Sequence, residues 1–437
     1  MQATLPGVEK RLQDRYQLLV HEHTGQAHPT AAGPRCLPTA AQAKAHAQAA
    51  WRFFHNRRLG LPQLMQPLLD LARAEAPTAC QDYALVVHDW SGLDYSSHTD
   101  KHDRIALGKD AGRGYELYTA LLLGDQKGQP VAPLRVRLRA QAGAYDSAYQ
   151  QVRQPGVHLD SLTPVLRHLT GLGLPRPLVH IIDAEGDSVY HLRQWQAAGH
   201  FFLVRTDDRR VVRHEGVERR LPDVVQQLRR RGAFAYAREV SYQGRPADQY
   251  VAEAAIVLER PAWLHRRVDG RRKRLVRPGA PLPVRLVVSE VRAKDGTVLA
   301  RWQLLTNVPT AVAAATVALW YYWRWQVESY YKLLKGAGQQ LEHWQQQDAR
   351  ALLRRLLVAS MACALVWRLA RSTAPQAKAA RKLLQQLSGR QLAWGQEFTE
   401  EALLAGLWAL LAMVEVLKDR TPEDLQAIAD FVLAGSG

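Results

Sequence analysis

The apolar residues change their spacing along the chain, and each change predicts a new kind of element. Residues 1–77 carry apolar side chains at three- and four-residue intervals, the spacing of amphipathic helices. The stretch from His28 to Pro38 lacks this spacing and predicts a loop. Pro77 is expected to end this helical region, because proline disfavours helix continuation.

Beyond residue 82, short apolar runs replace the helical spacing. Three of them, separated by polar or glycine-rich loops, predict β-strands at residues 83–90, 115–123 and 131–139. The pattern then alternates between helix and strand, over residues 161–173, 177–183, 189–199 and 200–205. Hairpin-linked strands followed by strand–helix–strand alternation predict an α/β fold.

Residues 207–310 interrupt the alternation with an arginine-rich, mostly strand-like segment. A clear hairpin turns at Asp295-Gly296, the favoured pair for a type I′ turn. Helical spacing returns at about Ala311 and is predicted to continue past Lys335. The sequence therefore predicts a helical N-terminal region, a core, an insertion and a helical C-terminal region, at residues 1–77, 78–206 with 311–370, 207–310 and 371–437.

Composition narrows the class of partner. The 437 residues, 47% of them hydrophobic, are enough for two or three domains with sizeable cores. The formal net charge of +17 favours nucleic acid over the alternative, a small acidic substrate. Three cysteines without a CxxC pair predict neither a zinc module nor a disulfide framework. With no signal-peptide core and no long apolar run, we expect a cytoplasmic protein of bacterial, nucleoid-associated type with no membrane partner.

Three acidic residues stand out because of the elements predicted around them. Asp89 lies in the run 83–90, Asp183 ends the run 177–183, and Glu328 lies in the helix predicted after the insertion. A charge in or at the end of a buried strand is costly unless it is paired or binds a metal. Strand ends are also where ligands bind in open α/β sheets. Three such carboxylates could hold two hard cations, and Mg²⁺ suits a site built only of oxygen ligands.

Glu328 shares its predicted helix with Tyr321, Arg324 and Lys335, at steps of three, four and seven residues. At about 100° per residue, the four side chains fall within an arc of about 60° and share one face. Such a face suits a metal-and-phosphate site. Each feature alone has a structural alternative: Asp183 could cap the following helix, and Arg324–Glu328 could be a surface ion pair worth well under 1 kcal/mol.

These residues resemble the motifs of a known family, the DDE transposases of bacterial insertion sequences. More narrowly, the chain is similar to the insertion-sequence-four group, whose third motif is Y-x2-R-x3-E-x6-K. That motif is matched at Tyr321, Arg324, Glu328 and Lys335. The first and second motifs are matched at Asp89 and at Asp183, Glu185 and Asp187. The resemblance extends from about Ala49 to the final helices, with Trp90 standing where the group has a small hydroxyl residue.

The resemblance implies an RNase H-like catalytic core with a β-rich insertion, flanked by all-α N- and C-terminal regions. It implies that Asp89, Asp183 and Glu328 are the catalytic triad and bind two Mg²⁺ ions, with Mn²⁺ as an alternative. The residues that it implies in DNA binding are Tyr321, Arg324, Lys332, Lys335, Trp302, Arg205 and Arg52. Ordinary packing is the alternative for Trp302, and a solvated strand end is the alternative for Arg205. Phe53, beside Arg52, is expected to be a core residue.

The implied function is that of a transposase acting on double-stranded DNA. The enzyme would cut at the terminal inverted repeats through a hairpin intermediate and transfer the ends into target DNA, as a homodimer in the DNA complex. One alternative is an inactive or domesticated transposase that only binds DNA. Another is a different RNase H-like nuclease, such as a resolvase, which would lack the insertion and the Tyr-Arg-Glu-Lys face.

Overall fold

The computed structural model describes residues 4–24, 43–108, 112–152, 158–268, 271–336, 338–393 and 395–434. The predicted loop from His28 to Pro38 lies outside these residues. The α-helices are α1 Lys10–Thr24, α2 Ala43–His55, α3 Leu61–Ala79, α4 His158–Thr170, α5 Val189–Ala197, α6 Leu221–Arg230, α7 Ala314–Tyr322, α8 Gln326–Leu334, α9 Ala349–Arg371, α10 Pro375–Leu387, α11 Glu400–Val416 and α12 Pro422–Ala434.

The predicted α/β class is confirmed, since one large mixed sheet is combined with these helices. The strands are β1 Ala84–Asp94, β2 Ile105–Ala106, β3 Arg113–Gly124, β4 Pro130–Ala140, β5 Gly143–Asp146, β6 Gln150–Val152, β7 Leu178–Ile182, β8 Phe201–Arg205, β9 Val211–His214, β10 Val217–Arg220, β11 Ala235–Tyr242, β12 Arg245–Leu258, β13 Ala262–Val268, β14 Arg271–Arg277, β15 Leu282–Arg292 and β16 Val298–Thr306.

Among the described residues, fourteen strands form a single sheet in the order β10-β9-β12-β15-β16-β8-β7-β1-β3-β4-β5-β6, with β11 paired to β12 and β2 to β3. At its centre β1, β7 and β8 run parallel, while β3 and β4 are antiparallel hairpin strands beside β1. The insertion joins this sheet directly, because β16 pairs with β8. β13 and β14 form a separate two-stranded ribbon.

The central strands are buried on both faces. β1 enters the sheet with the fully buried run from Ala84 to Val87, which explains its continuous rather than alternating apolar pattern. The long helix α9 packs against α1, α3 and β4. Its buried Arg354 donates to the backbone carbonyls of Phe54 and Leu59 at 2.8 and 2.7 Å. The N-terminal helices are therefore fixed to the body of the chain.

The prediction of one continuous helix after the insertion was wrong. The helix after the insertion begins at Ala314, is interrupted by a 3₁₀ turn at Trp323–Trp325, and ends at Leu334 instead of continuing past Lys335. Gly128 lies against this turn, and a Cβ there would come within 2.3 Å of the Trp323 ring. Pro77 lies close to the end of α3, as predicted: the helix continues only to Ala79, and Cys80 N bonds Ala76 O at 2.9 Å.

The predicted type I′ turn was also wrong. Such a turn requires positive φ at both central residues, but Gly296 has φ 87° while Asp295 is not in the positive region. Asp295 instead accepts a hydrogen bond from Thr297 N at 2.9 Å, an ordinary Asx contact. Separately, none of the helices within the described ranges is both long and apolar enough to cross a bilayer.

Candidate active site

The register of two parallel strands brings the two predicted aspartates to the same level. His88 of β1 is the partner of Ile182 of β7, so Asp89 and Asp183 are the next residues on neighbouring strands. Asp183 follows the last residue of β7 and is the N-cap of a short 3₁₀ turn. β7 ends at this level, whereas β1 continues to Asp94. The two carboxylates therefore lie side by side at the carboxyl end of β7, the end of a strand at which ligands bind in open α/β sheets.

Asp183 is the most connected carboxylate of the site. Its side chain accepts hydrogen bonds from Ala184 N at 2.6 Å and from the Tyr321 hydroxyl at 3.0 Å. Arg205, the last residue of β8, lies 2.6 Å away through its Nε. The Asp183 side chain therefore caps the following turn, as the structural alternative expected, and also contacts Tyr321 and Arg205, two of the residues predicted to bind DNA. Arg205 contacts the site and is not merely a solvated strand end.

Asp89 is held in a poorly solvated position. Its side chain is 16% exposed, and burial is the main reason why its pKa rises to about 7. The Arg324 guanidinium opposes this rise, whereas the negative charges of Glu328 and Asp183 add to it. Glu328 is thus near enough to Asp89 for its negative charge to raise the pKa of that carboxyl group. Tyr331 also reaches this position, donating to the Asp89 carbonyl at 3.1 Å.

Arg324 links the two strand aspartates. Its guanidinium lies 3.6 Å from Asp89 and 3.4 Å from Asp183, and the side chain is 9% exposed. Burial would lower the pKa of Arg324, but Asp183 and the other acidic neighbours outweigh that effect and raise it. Arg324 belongs to the 3₁₀ turn, which connects α7, the helix of Tyr321, to α8, the helix of Glu328.

Asp89, Asp183 and Glu328 are the donor set for the predicted Mg²⁺. Three carboxylates without histidine or cysteine are the ligands that Mg²⁺ prefers. A cation would relieve the repulsion by Glu328 and Asp183, which adds to the effect of burial on the pKa of Asp89. Among the described residues, Glu328 is half-buried and forms no hydrogen bond or ion pair. The described residues contain no group of three ligands already at metal-binding separation. The donor type fits Mg²⁺, with Arg324 supplying the positive charge.

The two predicted lysines differ in their environment. Lys335, just after α8, donates to Gly92 O at 2.7 Å and Ser91 Oγ at 3.1 Å. It therefore lies at the end of β1, two to three residues beyond Asp89. Lys332 is exposed, and the described residues offer it no ion-pair partner. Lys335 is thus part of the same surface as the acidic residues, and Lys332 is available to a ligand.

Trp302 lies on the sheet face of the site but several strands away. It is two residues before Leu304, whose register partner is Arg205, and alternate residues of a strand share a face. The indole is half-buried and packs against the core, as the packing alternative expected. The structure therefore places Trp302 in line with Arg205 without a contact to the carboxylates.

Arg52 lies apart from these residues on α2. It is exposed and borders a groove of about 640 Å³ between α1 and α2, together with Arg11, Arg15 and Arg58. Phe53 is 3% exposed, so its prediction as a core residue is confirmed. The groove is basic, but it is a separate surface and not a wall of the carboxylate site.

The D-x-E-x-D motif does not act as a unit. Glu185 is bonded to His158 Nδ1 at 3.5 Å, and Asp187 is paired with Arg210 at 2.5 Å. His158 also stacks on Trp90, with ring centroids 5.4 Å apart, and its pKa is raised to about 9, first by its hydrogen bond to Glu116. Sequence reasoning missed His158 because it lies far from both motifs along the chain.

No protein-family model matches the chain, and no curated protein is significantly similar to it. Seven chains of solved structures match. One is a piggyBac transposase synaptic complex with hairpin DNA, at 9% identity and a TM-score of 0.33, covering 81% of this chain and 57% of that chain. The match thus spans just over half of that protein. Its low identity and TM-score do not establish a common fold.

Proposed function

We propose that this chain is a DNA transposase with an RNase H-like core. It would cleave DNA at the ends of its element and join those ends to target DNA. The observation that carries the proposal is the convergence of Asp89 and Asp183 on the Tyr321–Arg324–Glu328 stretch, from three distant parts of the sequence. The central strand order β4-β3-β1-β7-β8, with only β1, β7 and β8 parallel, supports an RNase H-like core.

In this proposal Asp89, Asp183 and Glu328 hold two Mg²⁺ ions, or Mn²⁺ in their place, which would supply Lewis acidity and activate the attacking oxygen. The side chains around the carboxylates would hold them in position for the metal ions. The Tyr321 hydroxyl holds the Asp183 carboxylate by donating to Oδ1. Arg324 balances the acidic charge until the negatively charged DNA backbone arrives, and a guanidinium then pairs well with two phosphate oxygens.

DNA phosphates next to the cut would contact the cations around the carboxylates. Lys335 is fixed by Ser91 and Gly92, so its position is set before DNA binds. Lys332 is exposed and can follow the backbone. Nicking, hairpin formation, hairpin opening and strand transfer are all displacements at phosphorus. One acidic site can therefore serve every step of a cut-and-paste reaction.

The ends of the element must be held together, so we propose a homodimer in the DNA complex. The C-terminal helix α12 has an exposed apolar surface on which Phe431 is 82% and Leu433 73% exposed. A large exposed apolar surface is typical of a protein–protein contact. In this proposal a second copy of the chain covers α12 when both ends are bound.

The experiment is cleavage of an end-labelled duplex that carries the inverted repeat flanking the gene. We expect wild-type protein to cut it only with Mg²⁺ or Mn²⁺. Asp89→Ala should bind the duplex without cutting, whereas Asp70→Ala, which removes a half-exposed surface carboxylate paired with Arg73, should cut normally. If wild-type protein binds the end in the presence of metal and never cuts it, the proposal fails.

The same geometry supports a second candidate, a transposase-derived protein that only binds DNA. The observation in its favour is that the Arg324 guanidinium lies between Asp89 and Asp183. If that arginine stays in place, end binding will be insensitive to EDTA and no metal-dependent cleavage will occur. A binding assay with and without metal, run beside the cleavage assay, separates the two candidates.

A further inference from the structure

A second cluster of charged and aromatic residues lies in the insertion, on four neighbouring strands. Tyr236 of β11 pairs with Tyr250 of β12, Tyr250 with Glu290 of β15, and Glu290 with Arg301 of β16. Directly opposed residues of antiparallel strands point to the same face. These four residues therefore form one continuous row across the sheet.

Glu290 is fully buried beneath three arginines. Arg301 Nε lies 3.0 Å from one carboxylate oxygen, which Arg229 also contacts, and Arg292 donates to the other at 2.8 and 3.1 Å. One arginine, bound through two hydrogen bonds, would be enough to neutralise the charge of a carboxylate. Three guanidiniums on one carboxylate leave two positive charges at this place. Arg229 is 46% and Arg301 32% exposed, so both remain accessible.

Acidic groups nearby do not cancel this charge. Glu239 and Asp248 lie on β11 and β12, and Lys294 binds both of them at 2.9 and 2.8 Å. Lys294 takes up one of their two charges. The cluster around Glu290 therefore keeps a net positive charge, which favours an anionic ligand.

Aromatic rings lie beside the arginines. The Arg292 guanidinium is 4.3 Å from the centroid of Tyr250 and 5.3 Å from that of Phe234. Tyr236 stands edge-on to Tyr250 at 5.8 Å and is 58% exposed. Its ring contacts Tyr250 on one side and leaves a large apolar surface in solvent. Exposed aromatic rings among cations are the usual components of surfaces that bind unpaired nucleic acid strands.

This row lies on the opposite sheet face from Trp302. Arg301 and Trp302 are consecutive residues of β16, and consecutive residues of a strand point to opposite faces. Trp302 shares the face of Arg205 and the candidate active site, so the row belongs to a different surface. It is not a wall of the carboxylate site.

We propose that Tyr236, Tyr250, Arg229, Arg292 and Arg301 form a platform that binds an unpaired nucleic acid strand. A base stacks on the open face of Tyr236, and the guanidiniums contact the adjacent phosphates. This activity goes beyond the proposed cleavage function. It requires neither a metal ion nor the carboxylates of Asp89, Asp183 and Glu328. Its ligand differs from duplex DNA in offering bases that are free to stack.

The test is fluorescence anisotropy of a labelled oligodeoxythymidine of about ten nucleotides, titrated with the full chain in EDTA. Tyr236→Ala should weaken binding about tenfold, which is about 1.4 kcal/mol and lies within the range measured for stacking of one base on an aromatic ring. Tyr236→Phe keeps the ring and should bind like wild type. Tyr149→Ala removes a tyrosine that is 51% exposed elsewhere and should change nothing.

The arginines are tested by salt dependence. Arg229→Gln should weaken oligonucleotide binding and reduce the slope of log K against log salt by about 0.7. Arg73→Gln, a 40% exposed arginine that is paired with Asp70, should leave the slope unchanged. A thermal melt of each variant checks that it is folded.

Two results would overturn the platform. One is a Tyr236→Ala variant that is folded and binds the oligonucleotide as tightly as wild type. The other is an equal loss of duplex and oligonucleotide binding in Tyr236→Ala, which would indicate a contact to duplex backbone. Asp89→Ala should bind the oligonucleotide normally, so failure of DNA cleavage and failure of the platform are separate outcomes.

Discussion

The most discriminating perturbation is Asp89→Asn, which should make the metal-free protein more stable. The pKa of Asp89 is about 7 in the folded chain against an ordinary value of 3.8. Ionised Asp89 therefore opposes folding. Each pKa unit corresponds to about 1.4 kcal/mol, so the upper bound is roughly 4 kcal/mol. The attraction of Arg324 is already contained in that pKa, and Asn reproduces the shape of the neutral carboxyl group.

The effect has a defined pH window. Well below pH 3.8 the carboxyl is protonated in both the folded and the unfolded chain, and the Asn variant gains nothing. As the pH rises from 3.8 to about 7, the unfolded chain releases a proton that the folded chain retains, so the stability of wild type falls. Above about pH 7 the difference is constant and largest.

The assay is thermal unfolding in EDTA at about pH 3, below both pKa values of Asp89, and at about pH 8, above both, with wild type and variant compared at each. We expect the variant to melt several degrees higher at the upper pH only, and added Mg²⁺ to raise the melting temperature of wild type more than that of the variant. Asp125→Asn is the control. Asp125 is buried and accepts from the backbone N–H groups of Gln81, Asp82 and Tyr83, so its loss should destabilise. A variant of Asp89 that melts at or below wild type at pH 8 would refute the reasoning.

Three further predictions follow from single residues. Gly128→Ala should lower the melting temperature and Mg²⁺-dependent cleavage together, because the new Cβ meets Trp323 at 2.3 Å; Gly173→Ala, with a similar φ of 67° and open space around it, should cost only the backbone strain of about 1–2 kcal/mol. The pKa of buried His23 falls to about 3, mainly through desolvation, so stability should drop by about 1.4 kcal/mol per pH unit below 6.5, and His23→Gln should flatten that slope in acid melts. Phe431→Asp should leave DNA binding by the monomer intact but abolish the dimeric DNA complex in light scattering; a dimer that survives would place the contact elsewhere.

The strands that carry the acids could be predicted because their apolar runs are local. Ala84–Val87 and the run before Asp183 need no tertiary information to be recognised as buried strands. The arrangement of Tyr321, Arg324 and Glu328 on one face was predicted from a continuous helix, and the structure has no such helix. A 3₁₀ turn separates α7 from α8, yet Tyr321 and Arg324 still reach the acids. Gly128, which contacts Trp323, lies in the hairpin between β3 and β4, far away along the chain. The local sequence around Trp323 therefore gives no sign of this contact.

The pairings of charges could not be predicted. Whether Arg324 faces solvent, a phosphate or two aspartates depends on distances across the folded chain. The same holds for the arginines of the insertion. Their number is evident from the sequence, but only the folded chain shows that three of them converge on the single buried carboxylate of Glu290. That convergence depends on the register of β15 against β16 and on the position of α6, which carries Arg229, and register is set by long-range pairing.

The unbroken pairing of β7, β8, β16, β15, β12 and β11 has a mechanical consequence. Five strand spacings separate the strand before Asp183 from the strand of Tyr236, which is roughly 24 Å at about 4.8 Å per strand. No hinge interrupts this span, because every step is a ladder of backbone hydrogen bonds. The sheet therefore keeps the outer edge of the insertion at a fixed distance from the carboxylates. That distance equals the length of about seven base pairs along a DNA duplex, at about 3.4 Å per base pair.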